Sequence, residues 1–437
     1  MLTAFAGAFR SPDLRKKLLF TLGIIFVYRI GSVIPVPNVN VGQLHTCATA
    51  AQTGAQAGLY SLLSLFSGGA LLQLAIFALG IMPYITASII LQLLTVVIPR
   101  LEALKKEGQS GQNKITQYTR YLTLVLAVLQ STTFITLARN DQLFSNCTGL
   151  LHDNGVFPVV VMILTMTAGT GVIMWLGELI TERGVGNGMS VLIFTQICAA
   201  FPQTLWAIKQ GHAGSTGWVV FFLVILVGLL VMLAVIFVEQ AQRRIPVQYA
   251  KRMVGRRVLG GTTTYIPLKV NQAGVIPVIF ASSLLYIPVL YAQFRPDGWG
   301  ASWIQGHFVR GDHPVYMATY FLLIIFFAYF YVSITFNPEE VADNMKKYGG
   351  FIPGIRAGRP TQDYLSYVLN RLTLPGSLYL GIIALLPMLA ITLLNTQNAQ
   401  NFPFGGTSLL IIVGVGLDTV KQIESQLQQR NYEGFLR

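Results

Sequence analysis

Charged side chains are scarce in this sequence. Asp, Glu, Lys and Arg make up 11% of its 437 residues, against about a quarter in an ordinary globular domain. Hydrophobic residues make up 53%, and the mean hydropathy is +0.59, which together exclude a water-soluble enzyme and a disordered protein. Three cysteines are too few for a disulfide scaffold or a metal cluster. What remains is an all-α polytopic membrane protein, built from spans of about 20 apolar residues.

Catalytic constellations are absent too. The five histidines fall in loops, and none stands beside Cys or Glu at the spacing of metal ligands. The sequence has no phosphate-binding loop, no GxGxxG and no nucleophile elbow. We therefore expect no catalytic residue, no metal and no cofactor, and we do not expect an enzyme.

Ionisable residues are rare within the apolar segments. Arg29 is the only basic residue well inside one, and the simplest interpretation is that its side chain reaches out to the lipid headgroups. Ion-coupled transporters bury carboxylates or histidines in the middle of their helices. The scarcity of such residues here favours a conduit without ion coupling.

The apolar segments predict ten membrane-spanning helices in two halves. The segments cover residues 18–36, 71–99, 121–138, 156–176, 187–206, 217–238, 272–293, 315–336, 372–394 and 405–420. If the N-terminus lies inside, 25 of the 30 Lys and Arg residues fall in inside connections and 4 in outside ones. Because basic residues accumulate on the cytoplasmic side, both termini are predicted to be cytoplasmic. The halves, residues 1–206 and 207–437, would enter the membrane in opposite directions, which permits an inverted repeat.

The outside connection before the second segment carries no charged residue from Asn38 to Ala70. Within it, residues 59–67 form an apolar run that is too short to span a membrane, and Gly68 and Gly69 end this run. Periodicity alone leaves two interpretations open. The run is either a helix lying on the outer membrane surface or a helix folded back into the protein's own cavity.

The second apolar segment has the features of a central helix. Ile81 and Ile85 share one face because they are four residues apart, and on periodicity alone they would face lipid or the protein core. Pro83 removes a backbone hydrogen bond and is expected to bend the helix. An adjoining polar strip, expected to face protein or water rather than lipid, consists of Thr86, Ser88 and Gln92.

The cysteines permit one disulfide. Cys47 and Cys147 fall in two different outside loops, whereas Cys198 lies inside the fifth apolar segment. An oxidising exterior would allow Cys47 and Cys147 to form a bridge. This pairing is a hypothesis, because the separation of the two residues does not follow from their positions in the sequence.

Several motifs resemble the SecY family of channel subunits. The longest are ALGIMPYI at residues 78–85 with QLL at 92–94, and WLGELITERG at 175–184 with GNG at 186–188. The shorter motifs are FSGGA, PLKVN, NP, PGIR and FGGTS, at residues 66–70, 267–271, 337–338, 353–356 and 404–408. They occur in order along essentially the whole chain, which makes the resemblance far more specific than one short pattern.

This resemblance implies a two-halved clamshell of ten helices around an hourglass pore. The apolar constriction ring would consist of Ile81, Ile85, Ile193, Ile279 and Ile411. The plug, a short re-entrant helix at about residues 58–70, would contain Leu59, Tyr60, Ser61, Leu62, Leu63, Ser64, Leu65, Phe66, Ser67, Gly68 and Gly69. A lateral gate between the second and seventh spans would include Thr86, Ser88, Gln92, Ser282 and Ser283. The resemblance thus favours the re-entrant interpretation of the apolar run.

Two long inside connections cover residues 239–271 and 337–371. Short alternating runs predict that the first projects as a β-hairpin, and Gly and Pro in the second predict an ordered turn flanked by short helices. The resemblance places docking of the motor ATPase SecA or of the ribosome on Arg256, Arg257 and Arg356. The plainer interpretation is that these basic residues only fix the orientation of the chain.

The resemblance further implies a channel in the bacterial plasma membrane. It would translocate unfolded secretory proteins and release hydrophobic segments laterally into lipid. The implied partners are small membrane subunits similar to SecE and SecG, SecA, the ribosome, chains that bear signal sequences, and membrane lipids. The alternative is a secondary transporter with inverted repeats for a neutral solute, which should show polar ligands at mid-membrane in both halves. A scaffold without a pore would not need the polar strip of the second segment.

Overall fold

The structure is a computed structural model and is mostly helical. It describes residues 11–44, 46–47, 67–71, 73–139, 149–153, 155–210, 215–249, 252–254, 257–259, 263–294, 298, 300–308, 313–394 and 406–433. The helices are α1 (Pro12–Gly31), α2 (Met82–Val97), α3 (Pro99–Lys106), α4 (Gln109–Arg139), α5 (Val156–Arg183), α6 (Gly188–Gln210), α7 (Ser215–Gln240), α8 (Ile276–Phe294), α9 (Ala301–His307), α10 (Pro314–Thr335), α11 (Pro338–Lys347), α12 (Arg359–Leu394) and α13 (Gly406–Glu433). The strands are β1 (Gln242–Tyr249), β2 (Arg252–Val254), β3 (Arg257–Leu259), β4 (Thr263–Lys269) and β5 (Gly350–Phe351).

Every one of the predicted apolar segments overlaps a helix. Within the described ranges, five helical stretches are long and apolar enough to cross a membrane, and they lie in α4, α5, α7, α10 together with α11, and α12. A sixth is added if α2 and α3, which meet at 100°, form one broken span. The number of ten spans and the cytoplasmic position of both termini therefore stay predictions.

The chain divides into two compact units. Unit 1 comprises Met1–Phe222, Asn395–Pro403 and Val415–Arg437, and unit 2 comprises Leu223–Leu394 and Phe404–Gly414. In unit 1, α4 packs against α2 and α5, and α5 packs against α1 and α6. In unit 2, α10 packs against α8 and α12, and α11 packs against α12. The predicted halves, 1–206 and 207–437, stay a prediction.

The residues before α2 form a largely buried stretch, here called the turn segment (residues 67–71 and 73–81), which is not helical after Ser67. The expectation of one helix over residues 71–99 is wrong for its first part, because α2 begins only at Met82. The backbone takes positive φ at Gly68, Gly69, Leu74 and Gly80, a conformation that a right-handed helix does not allow. The turn segment therefore enters the interior of unit 1 as turns.

Extended backbone after α1 pairs with the turn segment. The N–H of Val36 donates to the carbonyl of Leu74 over 2.9 Å, and the N–H of Ile76 donates to the carbonyl of Ile34 over 2.9 Å. α1 ends at Gly31, earlier than the predicted residue 36. A Cβ atom on Gly31 would lie 2.2 Å from the ring of Phe77, so glycine is what allows the turn segment to approach the end of α1.

The junction of α5 and α6 explains one of the long motifs. The Thr181 hydroxyl donates to the carbonyl of Gly177 over 3.0 Å and accepts from the N–H of Gly188 over 2.9 Å. A Cβ atom on Gly188 would lie 1.8 Å from the carbonyl oxygen of Gly177. The side chain of Asn187 accepts from the N–H of Met189 at the start of α6, which is typical of a helix N-cap. These residues therefore fold a tight helix–helix turn.

Cys47 is buried and disulfide-bonded, and Cys198 is a free cysteine. The state of Cys47 agrees with the hypothesis that it forms a bridge. Cys147, its expected partner, lies outside the described residues. Nearby, the Asn38 side chain donates to the carbonyl of Asp153 over 2.7 Å and accepts from its N–H over 3.0 Å. The connection that follows α1 is thus attached to the one that precedes α5.

The first of the two long connections that are predicted to lie inside forms the expected β-hairpin, and a strand of the second connection extends it. Antiparallel β1 and β4 pair from Gln242 opposite Lys269 onwards, and β5 pairs with the far end of β1, where Gln248 lies opposite Phe351. The strand order is β4-β1-β5. The pairing of β1 with β5 was not predicted, because two residues form a strand too short to be identified in the sequence.

A small apolar core lies beneath this sheet. Its buried members come from both inside connections and from α12: Ile245, Val247, Leu268, Met345, Ile352, Leu365 and Val368. Alternate residues of β1 point into this core and the others are exposed, as expected for a strand with one packed face. The two inside connections therefore fold as one module, here called the sheet module (residues 242–269 and 338–368).

We expect Leu268→Ala to destabilise the sheet module. The Leu268 side chain is 0% exposed, and such a truncation lowers the free energy of unfolding by about 2–5 kcal/mol. Hydrogen exchange of the β1 and β4 backbone amides would measure the change. Thr263→Ala is the control, since Thr263 is exposed on the same strand. Equal exchange in the two variants would contradict the assignment of this core.

Candidate functional site

Three of the predicted ring residues lie in unit 1. Ile81 is 1% exposed and caps the start of α2, where its carbonyl accepts from the N–H groups of Tyr84 and Ile85. Ile85 is half-buried on the first turn of α2, and Ile193 is buried in α6. Pro83 stands in the first turn of α2, where its missing N–H costs no helical hydrogen bond. The expectation that Pro83 bends this helix is therefore wrong, and Pro83 starts the helix next to Ile81.

The other two predicted ring residues lie in unit 2. Ile279 is in the first turn of α8 and Ile411 is near the start of α13, and both are buried. All five side chains are thus buried or half-buried branched hydrocarbons on helices or at a helix cap. Their arrangement as one ring stays a prediction.

Three of the four hydroxyl groups of the predicted lateral gate bond to their own helices. Thr86 donates to the carbonyl of Met82 over 2.9 Å. Ser282 and Ser283 both donate to the carbonyl of Ile279, over 2.9 and 2.8 Å. The other two predicted gate residues, a half-buried serine and an exposed glutamine, are Ser88 and Gln92. The role of these residues in a gate stays a prediction.

Only the end of the predicted plug falls in the described residues. Leu59, Tyr60, Ser61, Leu62, Leu63, Ser64, Leu65 and Phe66 lie outside them. Ser67, Gly68 and Gly69 begin the turn segment, and the buried Ser67 hydroxyl accepts from the N–H of Leu71. A Cβ atom on Gly68 would lie 3.3 Å from the Cα and carbonyl oxygen of Gln196, so Gly68 lies directly on the backbone of α6.

Arg29 does not reach out to lipid headgroups, contrary to the simplest interpretation of the sequence. One of its guanidinium nitrogens, Nη1, donates to the carbonyl of Gly68 over 3.2 Å and to the Ser32 hydroxyl over 3.3 Å. The Ser32 hydroxyl in turn donates to the carbonyl of Arg29 over 2.7 Å. The charge therefore lies at the turn that ends the predicted plug.

A buried polar pair lies next to this turn. The Gln196 side chain donates from Nε2 to the Tyr28 hydroxyl, and both side chains are fully buried. The Tyr28 ring stacks on the ring of Phe77 with centroids 5.7 Å apart. This pair was not predictable from the sequence, because the two residues are 168 positions apart.

The structure describes two of the three predicted docking residues. Arg256 lies outside the described residues. Arg257 is the first residue of β3, where it pairs with Val254 across the β2–β3 hairpin. Arg356 is exposed before α12, and its carbonyl accepts from the Thr361 hydroxyl over 2.9 Å. Arg356 is thus presented on the sheet module, and the docking role of all three arginines stays a prediction.

The sequence also did not reveal a bidentate ion pair between α4 and α5. Arg120 donates from Nε and Nη2 to the two carboxylate oxygens of Glu178, over 2.7 and 2.8 Å. The partners are 58 positions apart, so no helical spacing marks them. This fork geometry fixes the orientation of both side chains and links α4 to α5.

We expect Gly169→Ala to destabilise unit 1. A Cβ atom there would lie 2.2 Å from the carbonyl oxygen of Ile76 in the turn segment, and overpacking of this kind costs about 1–3 kcal/mol. Gly171→Ala is a matched control on the same helix, where the nearest atom would be 3.8 Å away. Both variants gain the same helix propensity, of about 1 kcal/mol. Thermal unfolding in detergent should therefore separate them, and equal midpoints would contradict this packing.

Comparisons with known proteins bear on the whole chain. The family model described as SecY matches residues 75–420. The chain is 68% identical to the protein translocase subunit SecY of Streptomyces griseus and 59% identical to that of Mycobacterium bovis, with 100% of each chain covered. A solved structure described as a protein conducting channel aligns with a TM-score of 0.58 at 19% identity and covers 94% of this chain and 91% of its own, which shows a common fold. The chain therefore belongs to the SecY family.

Proposed function

We propose that this chain is the pore-forming subunit of a protein-conducting channel in a bacterial plasma membrane. It would move unfolded secretory proteins across the membrane and release hydrophobic segments sideways into lipid. The proposal rests on one observation: the sequence of this chain is 68% identical, over its full length, to that of a protein translocase subunit. No catalytic role is assigned to any residue, and the energy for transport would come from partners.

An apolar ring suits such a channel for a physical reason. A pore for polypeptides must admit many side chains and still resist the leak of ions, and apolar constrictions resist ions because they lose water. The side chain of Ile is stiff because it branches at Cβ, yet a ring of such side chains has no hydrogen bonds that must break. In this proposal Ile81, Ile85, Ile193, Ile279 and Ile411 form the seal around the passing chain.

The plug and the lateral gate complete the proposed mechanism. The short helix at about residues 58–70 would close the resting pore from the outside. Hydrophobic segments would leave between the second and seventh spans, past Thr86, Ser88, Gln92, Ser282 and Ser283. Their exit is downhill because burial of apolar surface gains about 25 cal/mol per Å². In this proposal ten spans form two inverted halves, and both termini are cytoplasmic.

Partners would dock on the sheet module. Two solved structures with the same fold are Sec61 in a canine ribosome-channel complex and the yeast Ssh1 complex bound to the ribosome, with TM-scores of 0.55 and 0.58. By analogy, Arg256, Arg257 and Arg356 would contact the ribosome or the motor ATPase SecA, since Arg pairs bidentately with phosphate and carboxylate. Small membrane subunits similar to SecE and SecG would complete the assembly.

The alternative function, a secondary transporter for a neutral solute, is not supported. The full-length relatives are translocase subunits, and the solved structures that align are channels. In addition, the residues at the predicted constriction are aliphatic, whereas a transporter needs polar ligands at mid-membrane.

A stalled secretory chain should crosslink to the predicted ring. The design replaces the free Cys198 by Ser and introduces Ile85→Cys or Ile279→Cys, and a thiol-specific crosslinker is placed in the cargo. Adducts are expected at both positions because the cargo must pass the ring. Leu322→Cys, which is 65% exposed on α10, is the control on a surface expected to face lipid. Adducts at the control alone would contradict the proposed pore.

Removal of the ring side chains should make the channel leaky. We expect Ile81→Gly, Ile85→Gly, Ile193→Gly and Ile279→Gly together to raise the ion conductance of the resting channel in planar bilayers, because a wider and less apolar constriction stays hydrated. Ile30→Gly with Ile382→Gly is the control, since these residues are 48% and 57% exposed. Unchanged conductance in the fourfold variant would remove these residues from the seal.

A further inference from the structure

The interactions of Arg29 are unusual for an arginine within a predicted span. Within the part of the chain that the structure describes, it forms no salt bridge with a carboxylate. Placing an unpaired cation at membrane depth is costly, so such residues normally have a defined partner. Here the partners are a backbone carbonyl and a hydroxyl, Gly68 and Ser32. A guanidinium bonded to a carbonyl does not lose its charge, and the bond is stronger than one between neutral groups.

Arg29 is also held in place on its own helix. The Ser32 hydroxyl accepts from the guanidinium and donates to the Arg29 carbonyl, so it fixes the direction of the long side chain. Ser32 itself is buried, which keeps this arrangement from exchanging with solvent. The bond to Ser32 thus orients the guanidinium that bonds to Gly68.

Gly68 lies on a surface that α1 and α6 form together. It takes φ +62°, a conformation that favours glycine, and a Cβ atom there would make a tight contact of 3.3 Å with the backbone of Gln196. The side chain of Gln196 is fully buried, and its Nε2 donates to the hydroxyl of Tyr28 in α1. Its Oε1 has no hydrogen-bond partner among the described residues. The turn is thus bound by two helices. α1 contacts it through the charged hydrogen bond of Arg29, and α6 contacts it through close packing of Gln196.

We propose that Arg29 is a positioning residue that holds the Gly68 turn on α1 and α6 and so fixes the described end of the predicted plug. The inference rests on the proposed function, since it assigns Arg29 a part in keeping the resting channel closed. The hydrogen bond to Gly68 must break if the turn moves away from α1, so in this proposal the bond belongs to the resting channel. Arg29 therefore shifts the balance between resting and open channels towards the resting state.

Arg29→Met tests this role, because methionine keeps an unbranched apolar stem and removes every donor. We expect the resting ion conductance in bilayers without cargo to rise about tenfold, as for loss of one hydrogen bond to a charged group. Arg29→Lys retains a cationic donor and should restore much of the seal. Arg139→Met is the matched control, since it removes one positive charge from the exposed end of α4 and should leave conductance unchanged.

Wild-type conductance in an assembled Arg29→Met channel would overturn the proposal. So would equal leaks in the Arg29→Met and Arg139→Met channels. If Arg29→Met does not assemble, Ser32→Ala removes one of the two acceptors, and an unchanged conductance in that variant would overturn the proposal as well. The fourfold Ile→Gly channel separates this failure from failure of the proposed function: a leak there with none at Arg29 rejects only the role of Arg29.

Discussion

Backbone hydrogen bonding of the turn segment is the constraint on which unit 1 depends. Non-helical backbone inside a membrane protein is tolerated only where the protein satisfies its N–H and C=O groups. Val36 and Ile76 supply N–H groups for this purpose, and an antiparallel bridge joins Pro35 to Ala75. These hydrogen bonds between residues 34–36 and 74–76 require extended backbone after α1. α1 therefore ends at Gly31, and α2 starts only at Met82. The position of Ile81 at the start of a helix follows from the same hydrogen bonds.

The sheet module of unit 2 likewise depends on contacts between separate parts of the chain, and one face of its sheet is exposed to water. Its core needs Ile352 from the second inside connection as well as Ile245 and Val247 from the first. Since Ile352 and Ile355 turn towards that core, the exposed Arg356 beside them is presented at the surface. A predicted docking residue is therefore positioned by apolar neighbours that lie beneath the surface. In the proposed function the charge of Arg356 would attract a partner, and the buried aliphatic residues would fix its position.

The helices and the β-hairpin were predictable because each depends on a pattern that is local in the sequence. Long apolar runs indicate helices, and alternating runs around a Gly-rich turn indicate paired strands. The late start of α2 was not predictable, since the turn segment is as apolar as a helix and only its pairing with residues 34–36 reveals the difference. Arg29 with Gly68, and Arg120 with Glu178, join distant positions without any shared spacing. Such contacts exist only once the helices are packed. Residue types alone therefore predicted, wrongly, that the Arg29 side chain reaches the lipid headgroups.

The helix hydroxyls described above have a consequence for how a polypeptide would travel along the proposed pore. The protons of Thr86, Ser282 and Ser283 are already committed to carbonyls of their own helices. At these three positions a passing chain would therefore meet hydroxyls that have no proton left to offer. Adhesion there would be weak and much the same for every cargo sequence, so friction at these positions would be low. The speed of passage would then be governed by whatever pushes or pulls the chain, and the same conduit would serve a whole secretome.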